Sequence, residues 1–563
     1  MIRTESKTLS RPLYLSVTEM LLIPLGFGAL IALLYGNLST AWWGWDDPQI
    51  LKHAYQYSPW EYFFSPEAWR EFQPANLNPW IILSFDMDLS LFELNPSAFY
   101  LHHLFALWLV SGVTYAFLRL WLNPFWSFTG SALFICSAPV TNIAYELMNR
   151  HYLEGLLFFI ISLYLYVQAL REKKPVLAWL GALSYFFAVS AKEVFVPLAL
   201  LLPAIPEKDF RRRLIAAAPF FLILGIYALW RRYMLGRWLG GYSLTVDWTA
   251  PCRMILKIPS FIFGDGPFGM VSFLMIIALM SYAGWRNSSV RTLIVVAILL
   301  LLGPILPVIH ISDPQRLLLL FVWTLSAAVA LTLGTIARSS SRRVITALVI
   351  GVVIGFSMAG QGWKTRPGLE VAAAGFAAHG RFIMEADESE ALLPSIRFGN
   401  WFATGLLWLR KNVLGEQPPI VVFDEIDLAK PNIHALRFFR YDATRGSLVD
   451  VTGLVPRIYE EWGGKVRDKP LSVTLNYKGG MLSWVLGPYV DGKYSIITYG
   501  DSGYKLGIPC SGIQRVELTK PLLFRVRYDA PEGWTTYSPM FEFDGQALIK
   551  KQGHEVSYVK EWI

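Results

Sequence analysis

Charge and cysteine are scarce in this chain: of its 563 residues only 16% are Asp, Glu, Lys or Arg, and three are cysteine. A segment too polar to fold would be rich in charge, so this composition excludes disorder, and it also excludes the surface of an ordinary soluble enzyme. Three cysteines are too few for a disulfide framework or a zinc cluster. Cys136 falls in an apolar run and reads as packing, whereas Cys252 and Cys510 are both expected on an oxidising face where a bridge between them is open. No basic stripe with interleaved aromatics is present, so no nucleic-acid partner is expected. Nor does any repeat recur at a period of ~20–50 residues. Apolar residues fill the space instead: 54% of the chain is hydrophobic and 15% aromatic, with a mean hydropathy of +0.40.

Runs long enough to cross ~30 Å of hydrocarbon recur through the first two-thirds of the sequence. They fall at Leu15–Tyr35, Phe99–Trp121, Phe125–Ile143, Tyr152–Leu170, Val176–Ser190, Val194–Ile205, Leu214–Trp230, Phe268–Trp285, Thr292–Ile309, Leu317–Ile336 and Val344–Gly360. That makes about eleven transmembrane helices. Basic residues cluster on every second connection: Arg3, Lys7 and Arg11, then Arg119, then Arg171, Lys173 and Lys174, then Lys208 and Arg211 to Arg213, then Arg286 and Arg291, then Arg338, Arg342 and Arg343. The positive-inside rule puts these loops in the cytoplasm, the amino terminus inside and the carboxyl terminus outside. The first span lacks a small-residue cleavage site and reads as a retained anchor. Meeting anionic lipid accounts for the net charge of +8. The expected location is an integral membrane protein of the bacterial inner membrane, with its working face and carboxyl-terminal domain periplasmic.

Residues 1–360 thus form a transmembrane domain with a large first external loop over 37–98, followed by a connector over 361–394 and an external domain over 395–563. The loop is polar and rich in Trp and Pro, and Pro59–Phe64 and Pro66–Phe72 read as short helices opened by proline. Asp47 to Tyr57 can form another, with acids at its amino end where the dipole favours them. Arg231–Gly266 is a second external loop containing an amphipathic stretch, Met254–Phe263. Past Gln361 the connector carries a helix over Val371–Met384. Alternating segments then follow at Ile420–Asp424, Leu471–Tyr477, Met481–Leu486, Ser495–Tyr499, Leu522–Tyr528 and Met540–Phe543. Lys478-Gly479-Gly480 supplies a hairpin turn. The fold class is therefore a polytopic α-helical membrane protein with a mostly-β, sandwich-like extracytoplasmic domain. Trp462, Trp484 and Trp534 of that domain offer stacking faces for a glycan, or a sandwich core.

Trp43-Gly44-Trp45-Asp46-Asp47-Pro48, just past the first apolar segment, is the most informative stretch. Neighbouring acids at a membrane face cost several kcal/mol by rough estimate, and such residues are functional candidates by default. An enzyme working on a lipid-linked substrate needs a carboxylate to take a proton, cations at headgroup depth and a groove for the tail. The cations near span ends on the external side are Arg150 with His151, Lys192, Arg231 with Arg232, His310 and Arg316. Each has an ordinary alternative: a span cap for Arg150-His151, an internal pair of Lys192 with Glu193, and snorkelling for Arg231-Arg232. Their shared depth is the stronger signal.

Asp46-Asp47 after a first span, Asn78-Pro79-Trp80 through Phe85, and Leu94-Asn95-Pro96 through His102 together resemble the GT-C membrane glycosyltransferases, most nearly their protein O-mannosyltransferase and TMTC-like branch. Leu147 through Glu154, Ala191-Lys192-Glu193 and Ser312-Asp313-Pro314-Gln315-Arg316 resemble that branch's later external-loop motifs. The resemblance covers roughly Trp42 to Ile336. It departs at Asn78, where the branch often carries arginine, and in the β domain that ends the chain.

The resemblance implies a polyprenyl-phosphate sugar as donor, a glycan, lipid or protein hydroxyl as acceptor, and inversion at the anomeric carbon. Asp46 would be the base on the acceptor and Asp47 would orient acceptor or metal. Arg150, His151, Lys192, Arg231, His310 and Arg316 would hold the donor phosphate, with Trp45, Asn78 and Glu193 on the acceptor side or in its loop. Asp46 and Asp47 can also hold a divalent ion, Mg or Mn, though no His-rich ligand set accompanies them. An oligosaccharide ligase or polymerase with a pyrophosphate-linked donor would use Arg231, Arg232 and Arg316 as its larger cationic site. A lipid-glycan transporter fits less well, because charges at mid-span are few and no paired interrupted helices recur in matched halves.

Overall fold

The fold is taken from a computed structural model, which describes residues 16–238, 249–300, 303, 315–338, 341–394, 400–429, 433, 435–499, 505–518 and 520–550. Among these, seven helices are long and apolar enough to cross a membrane: Val17–Thr40, Pro96–Leu118, Leu147–Glu172, Phe210–Leu235, Pro267–Arg286, Leu318–Ala337 and Ser341–Glu385. The protein is a polytopic helical membrane protein with a β-rich carboxyl-terminal part.

Several of the expected spans take another form, and one lies only partly within the described residues. Phe125–Ile143 breaks into helices Pro124–Ile135 and Ala138–Tyr145, because Ser137 and Pro139 open a new helix in mid-run. Val194–Ile205 is a chain of short turns interrupted by Pro197 and Pro203, and its neighbour Pro175–Ala191 is a shorter apolar helix. Thr292–Ile309 lies only partly within the described residues, where Ser288–Leu300 is helical. By contrast Ser341–Glu385 runs unbroken for 45 residues, merging the last span with the connector helix. Pro367 is absorbed without a stop.

One apolar core runs through the helices, with Trp43, Trp69, Tyr35 and Tyr62 among its fully buried side chains. Basic residues of the alternating loops gather into pairs: Arg119 Nε reaches Glu19 at 2.7 Å, Arg171 Nη2 reaches Glu207 at 2.6 Å, and Arg338 donates to the Trp121 carbonyl.

The carboxyl-terminal part is two units, not one sandwich beginning at 395. In the first, β1 (Glu390–Leu393) lies between β2 (Ile420–Val421) and β3 (Arg437–Asp442), parallel to both, with β4 (Ser447–Asp450) antiparallel at the edge. The helix Asn400–Asn412 connects β1 to β2, as a parallel pair requires. The second unit is the sandwich. Strands β5 (Ser472–Lys478), β6 (Met481–Gly487) and β9 (Ser511–Arg515) form one sheet. In the other, β13 (Leu548–Lys550), β12 (Phe541–Phe543), β10 (Leu522–Asp529), β7 (Lys493–Thr498) and β8 (Lys505–Ile508) follow in that order, with β11 (Thr535–Tyr537) also on β10. Tyr494, Phe524, Val526 and Phe543 from one sheet meet Val473, Leu475 and Trp484 from the other. The β5–β6 hairpin turns on Gly479 and Gly480, both at positive φ, a conformation open to glycine without a Cβ clash. Cys252 and Cys510 are both free thiols, so the bridge left open by the sequence is not formed.

Candidate functional site around the paired aspartates

The chain leaves the first span through a short turn, Gly36–Thr40, and Trp45 then takes a left-handed conformation (φ 48°) that reverses it into the helix Asp47–Gln56. Gly44 fits closely at this bend: a Cβ there would stand 3.3 Å from the Phe376 ring of the long helix. The Trp45 ring lies 5.1 Å from the same phenylalanine. Pro48 occupies the first helical turn, where its missing N–H costs nothing.

The two acids face different surroundings. Asp47 is buried, and its Oδ2 accepts the Gly44 N–H at 2.8 Å while Oδ1 has no hydrogen-bond partner. Burial pushes its carboxyl well above the ordinary range. The Gly44 N–H and the Arg150 charge pull down, while the Asp46 and Glu146 charges push further up. Asp46 keeps an exposed face at the helix amino end. Desolvation raises its carboxyl, and the Arg316 guanidinium pulls it back down.

The cations divide into two groups. Arg150, His151, Lys192 and Arg316 act together: the charges of Lys192, Arg316 and Arg150 all reach the His151 ring. His151 holds its Nδ1 2.9 Å from the Met148 carbonyl, and its Nε2 is buried without a partner. Lys192 sets its ammonium 4.8 Å over the Tyr152 ring. Arg231 belongs elsewhere, paired through Nε to Glu193 at 2.8 Å, and Glu193 also accepts the Leu77 N–H at 3.0 Å. Asn78 is buried beside that loop with its Oδ1 unpartnered. His310 lies outside the described residues.

Sequence reasoning passed over the support of Arg150. This fully buried guanidinium lies 4.2 Å over the Phe85 ring and pairs through Nη1 with Asp88, while its Nε and Nη2 have no hydrogen-bond partner. Asp88 also meets His102 Nδ1 at 2.7 Å. On its other side His102 faces Glu154 at 3.6 Å, and Glu154 accepts from Trp80 at 2.7 Å and Ser84 at 2.8 Å. The available signal was three ionisable residues in otherwise apolar helices, where a charge without a partner is costly.

The helix Asn400–Asn412 covers the acid helix from the other side. Gln49 Nε2 donates to the Trp401 carbonyl at 2.8 Å and to Thr404 Oγ1 at 2.9 Å, and Lys52 sits 5.8 Å over the Trp408 ring. Among the described residues no three His, Cys, Asp or Glu side chains gather as a bound metal would require.

No protein-family profile and no curated protein matches the chain. Among solved structures it is similar to the Archaeoglobus fulgidus oligosaccharyltransferase complexed with zinc and sulfate, at 10% identity over 69% of this chain and with a TM-score of 0.43. The match spans 61% of that protein's length. It is also similar to ArnT from Cupriavidus metallidurans bound to undecaprenyl phosphate, at 11% identity over 81% of this chain and 96% of that one, with a TM-score of 0.41.

Proposed function

We propose that the chain is an integral-membrane glycosyltransferase of the GT-C type, moving a sugar with inversion from a polyprenyl-phosphate donor to a hydroxyl acceptor at the extracytoplasmic face. The observation that carries this reading is the placement of Asp46: an accessible carboxylate at a helix amino end, within electrostatic reach of Arg316, whose charge also converges on His151 with those of Lys192 and Arg150.

The chemistry needs little more. Asp46 takes the acceptor hydroxyl proton as that oxygen bonds to the anomeric carbon, and the bond from that carbon to the phosphate oxygen breaks with its electron pair on the phosphate. A carboxylate raised above its ordinary value is a better base than an unperturbed one. Arg316, Lys192 and Arg150 offset the charge that grows on the leaving phosphate. Asp47 holds the bend that aims Asp46, through the Gly44 N–H.

The test is comparative mass spectrometry of envelope glycans and glycoproteins from cells carrying the native chain or Asp46→Asn. The variant should lose at least about 10²-fold of the transfer product, as removal of a general base does, with unchanged thermal unfolding. Retained product would remove Asp46 as the base.

A further inference from the structure

Glycine weakens the interior of a helix, so a buried one there needs a reason. Gly405 lies inside the helix Asn400–Asn412, in a stretch from Phe402 to Leu406 that is buried throughout. A Cβ on it would stand 2.7 Å from both the carbonyl carbon and the Cβ of Pro48, and 2.9 Å from the Gln49 nitrogen. The carbon and nitrogen are backbone and the Cβ is locked in the proline ring, so no side-chain rotation makes room. The helix is therefore seated directly on the first turn of Asp47–Gln56, one residue past Asp47. The two hydrogen bonds from Gln49 flank this contact, and Thr404 Oγ1, which accepts one of them, itself donates to the Trp401 carbonyl at 3.1 Å.

A second glycine closes the other side of the bend. Gly380, in the long helix Ser341–Glu385, would put a Cβ 2.8 Å from Trp42 Cδ1 and 3.3 Å from Phe402 Cζ. Trp42 opens the run that ends in Asp46-Asp47. Arg410 Nη1 ties the two helices by donating to the Ile383 carbonyl at 2.9 Å. Phe382 and His379 of the long helix lie 5.3 Å and 5.4 Å from the Phe439 and Tyr441 rings of β3. Phe402, Leu406 and Leu409 are packed in the core of the membrane helices, although their own helix connects β1 to β2. The stretch from Trp42 to Pro48 is thus gripped between two helices, and one of them belongs to the carboxyl-terminal α/β unit.

We propose that the helix Asn400–Asn412 is the positioning element of the paired aspartates, with Gly405 the residue that sets how closely it seats. Gly405 and Thr404 act through Pro48 and Gln49 and do not touch reacting atoms. The α/β unit thereby completes the geometry of the acid bend. What this placement does for sugar transfer rests on the reading above; the placement itself does not. Gly405→Ala must part the two helices by roughly 1 Å to reach ordinary carbon contact at ~3.5–4.0 Å. A misplacement of about that size can cost about 10²-fold in rate.

The experiment uses the full chain in phosphatidylcholine nanodiscs. Hydrogen exchange read by mass spectrometry follows the peptide over 42–56, with β10 in the sandwich as internal reference. Envelope product from cells carrying each variant is measured alongside. Gly405→Ala should quicken exchange over 42–56 at least about tenfold, leave β10 unchanged and lower product at least about tenfold. Thr404→Val, which loses the acceptor of Gln49, should quicken the same peptide about fivefold, the scale of one hydrogen bond. Thr404→Ser keeps that oxygen and should stay within about twofold of native. Packing alone gives the opposite order, because valine fills the space of threonine and serine does not. Native-like exchange over 42–56 in Gly405→Ala overturns the proposal, as does Thr404→Ser exchanging faster than Thr404→Val. Should Gly405→Ala quicken β10 as well, it has loosened the whole carboxyl-terminal part, and the threonine pair decides by itself. Quickened exchange over 42–56 with undiminished product also overturns the proposal. If Asp46→Asn keeps its product, the transfer reading fails, and the exchange data alone decide whether this helix places the acids.

Discussion

Asp424-Glu425 and Asp46-Asp47 are both pairs of neighbouring acids, and their surroundings could hardly differ more. Asp424-Glu425, between the α/β unit and the sandwich, is saturated with partners: Asp424 takes Arg527 Nη1 and Lys505 Nζ, each at 2.7 Å, and the Tyr537 hydroxyl at 2.8 Å. Burial alone would lift the Asp424 carboxyl, but Arg527 and Lys505 together hold it below the ordinary range. Asp46-Asp47 has one backbone N–H and charges acting from a distance, and both carboxyls are raised. Neighbouring acids serve as a rivet in one place and are left with few partners in the other. Partners, not residue types, make that difference.

Substitution should expose it. Asp424→Ala removes the buried carboxylate that Arg527, Lys505 and Tyr537 share, while Glu425 and Asp529 remain beside Arg527, and should cost about 3 kcal/mol, read as unfolding of the carboxyl-terminal part in the full chain. Asp46→Ala should cost no more than about 0.5 kcal/mol, and equal costs would erase the contrast. The sign with pH also differs. Asp424, depressed in the folded state, contributes stability that is present above its unfolded value and lost as pH falls through the folded one; Asp47, raised, contributes stability that is lost as pH rises. Acid should therefore loosen the carboxyl-terminal part first, an order that limited proteolysis across a pH series would record.

Asp47 separates position from charge. Asp47→Ala orphans the Gly44 N–H and should cost about 1–3 kcal/mol, whereas Asp47→Asn, which still accepts that bond, should stay within about 1 kcal/mol of native in thermal unfolding. The smallest effect concerns Arg316. Its charge lowers the Asp46 carboxyl, so Arg316→Ala should move the acid limb of the transfer rate to higher pH by up to about one unit. An unmoved limb would detach Arg316 from Asp46.

Hydropathy revealed most spans, and two-residue alternation revealed the longer strands of the sandwich, because in both cases burial on a regular period writes itself into sequence. It failed where the period was too short to register, as at β1, whose four residues join a parallel sheet. It failed also where a helix outlived its apolar run: Lys364, Thr365, Arg366 and Pro367 look like an ending, yet the helix continues through them. The paired aspartates were conspicuous because charge beside hydrocarbon is rare. Their setting was not, since Asp88 and Arg150 meet across 62 positions and Gln49 and Thr404 across 355. Such contacts belong to tertiary packing and leave no local trace.

The unbroken helix Ser341–Glu385 has a mechanical corollary. At ~1.5 Å per residue it measures roughly 68 Å, more than twice the ~30 Å of a hydrocarbon layer. Its far half, where Phe376 packs on Trp45 and Gly44, is thus longer than a span alone requires. The contact ties the bend that carries the acids to the same helix that provides a candidate span.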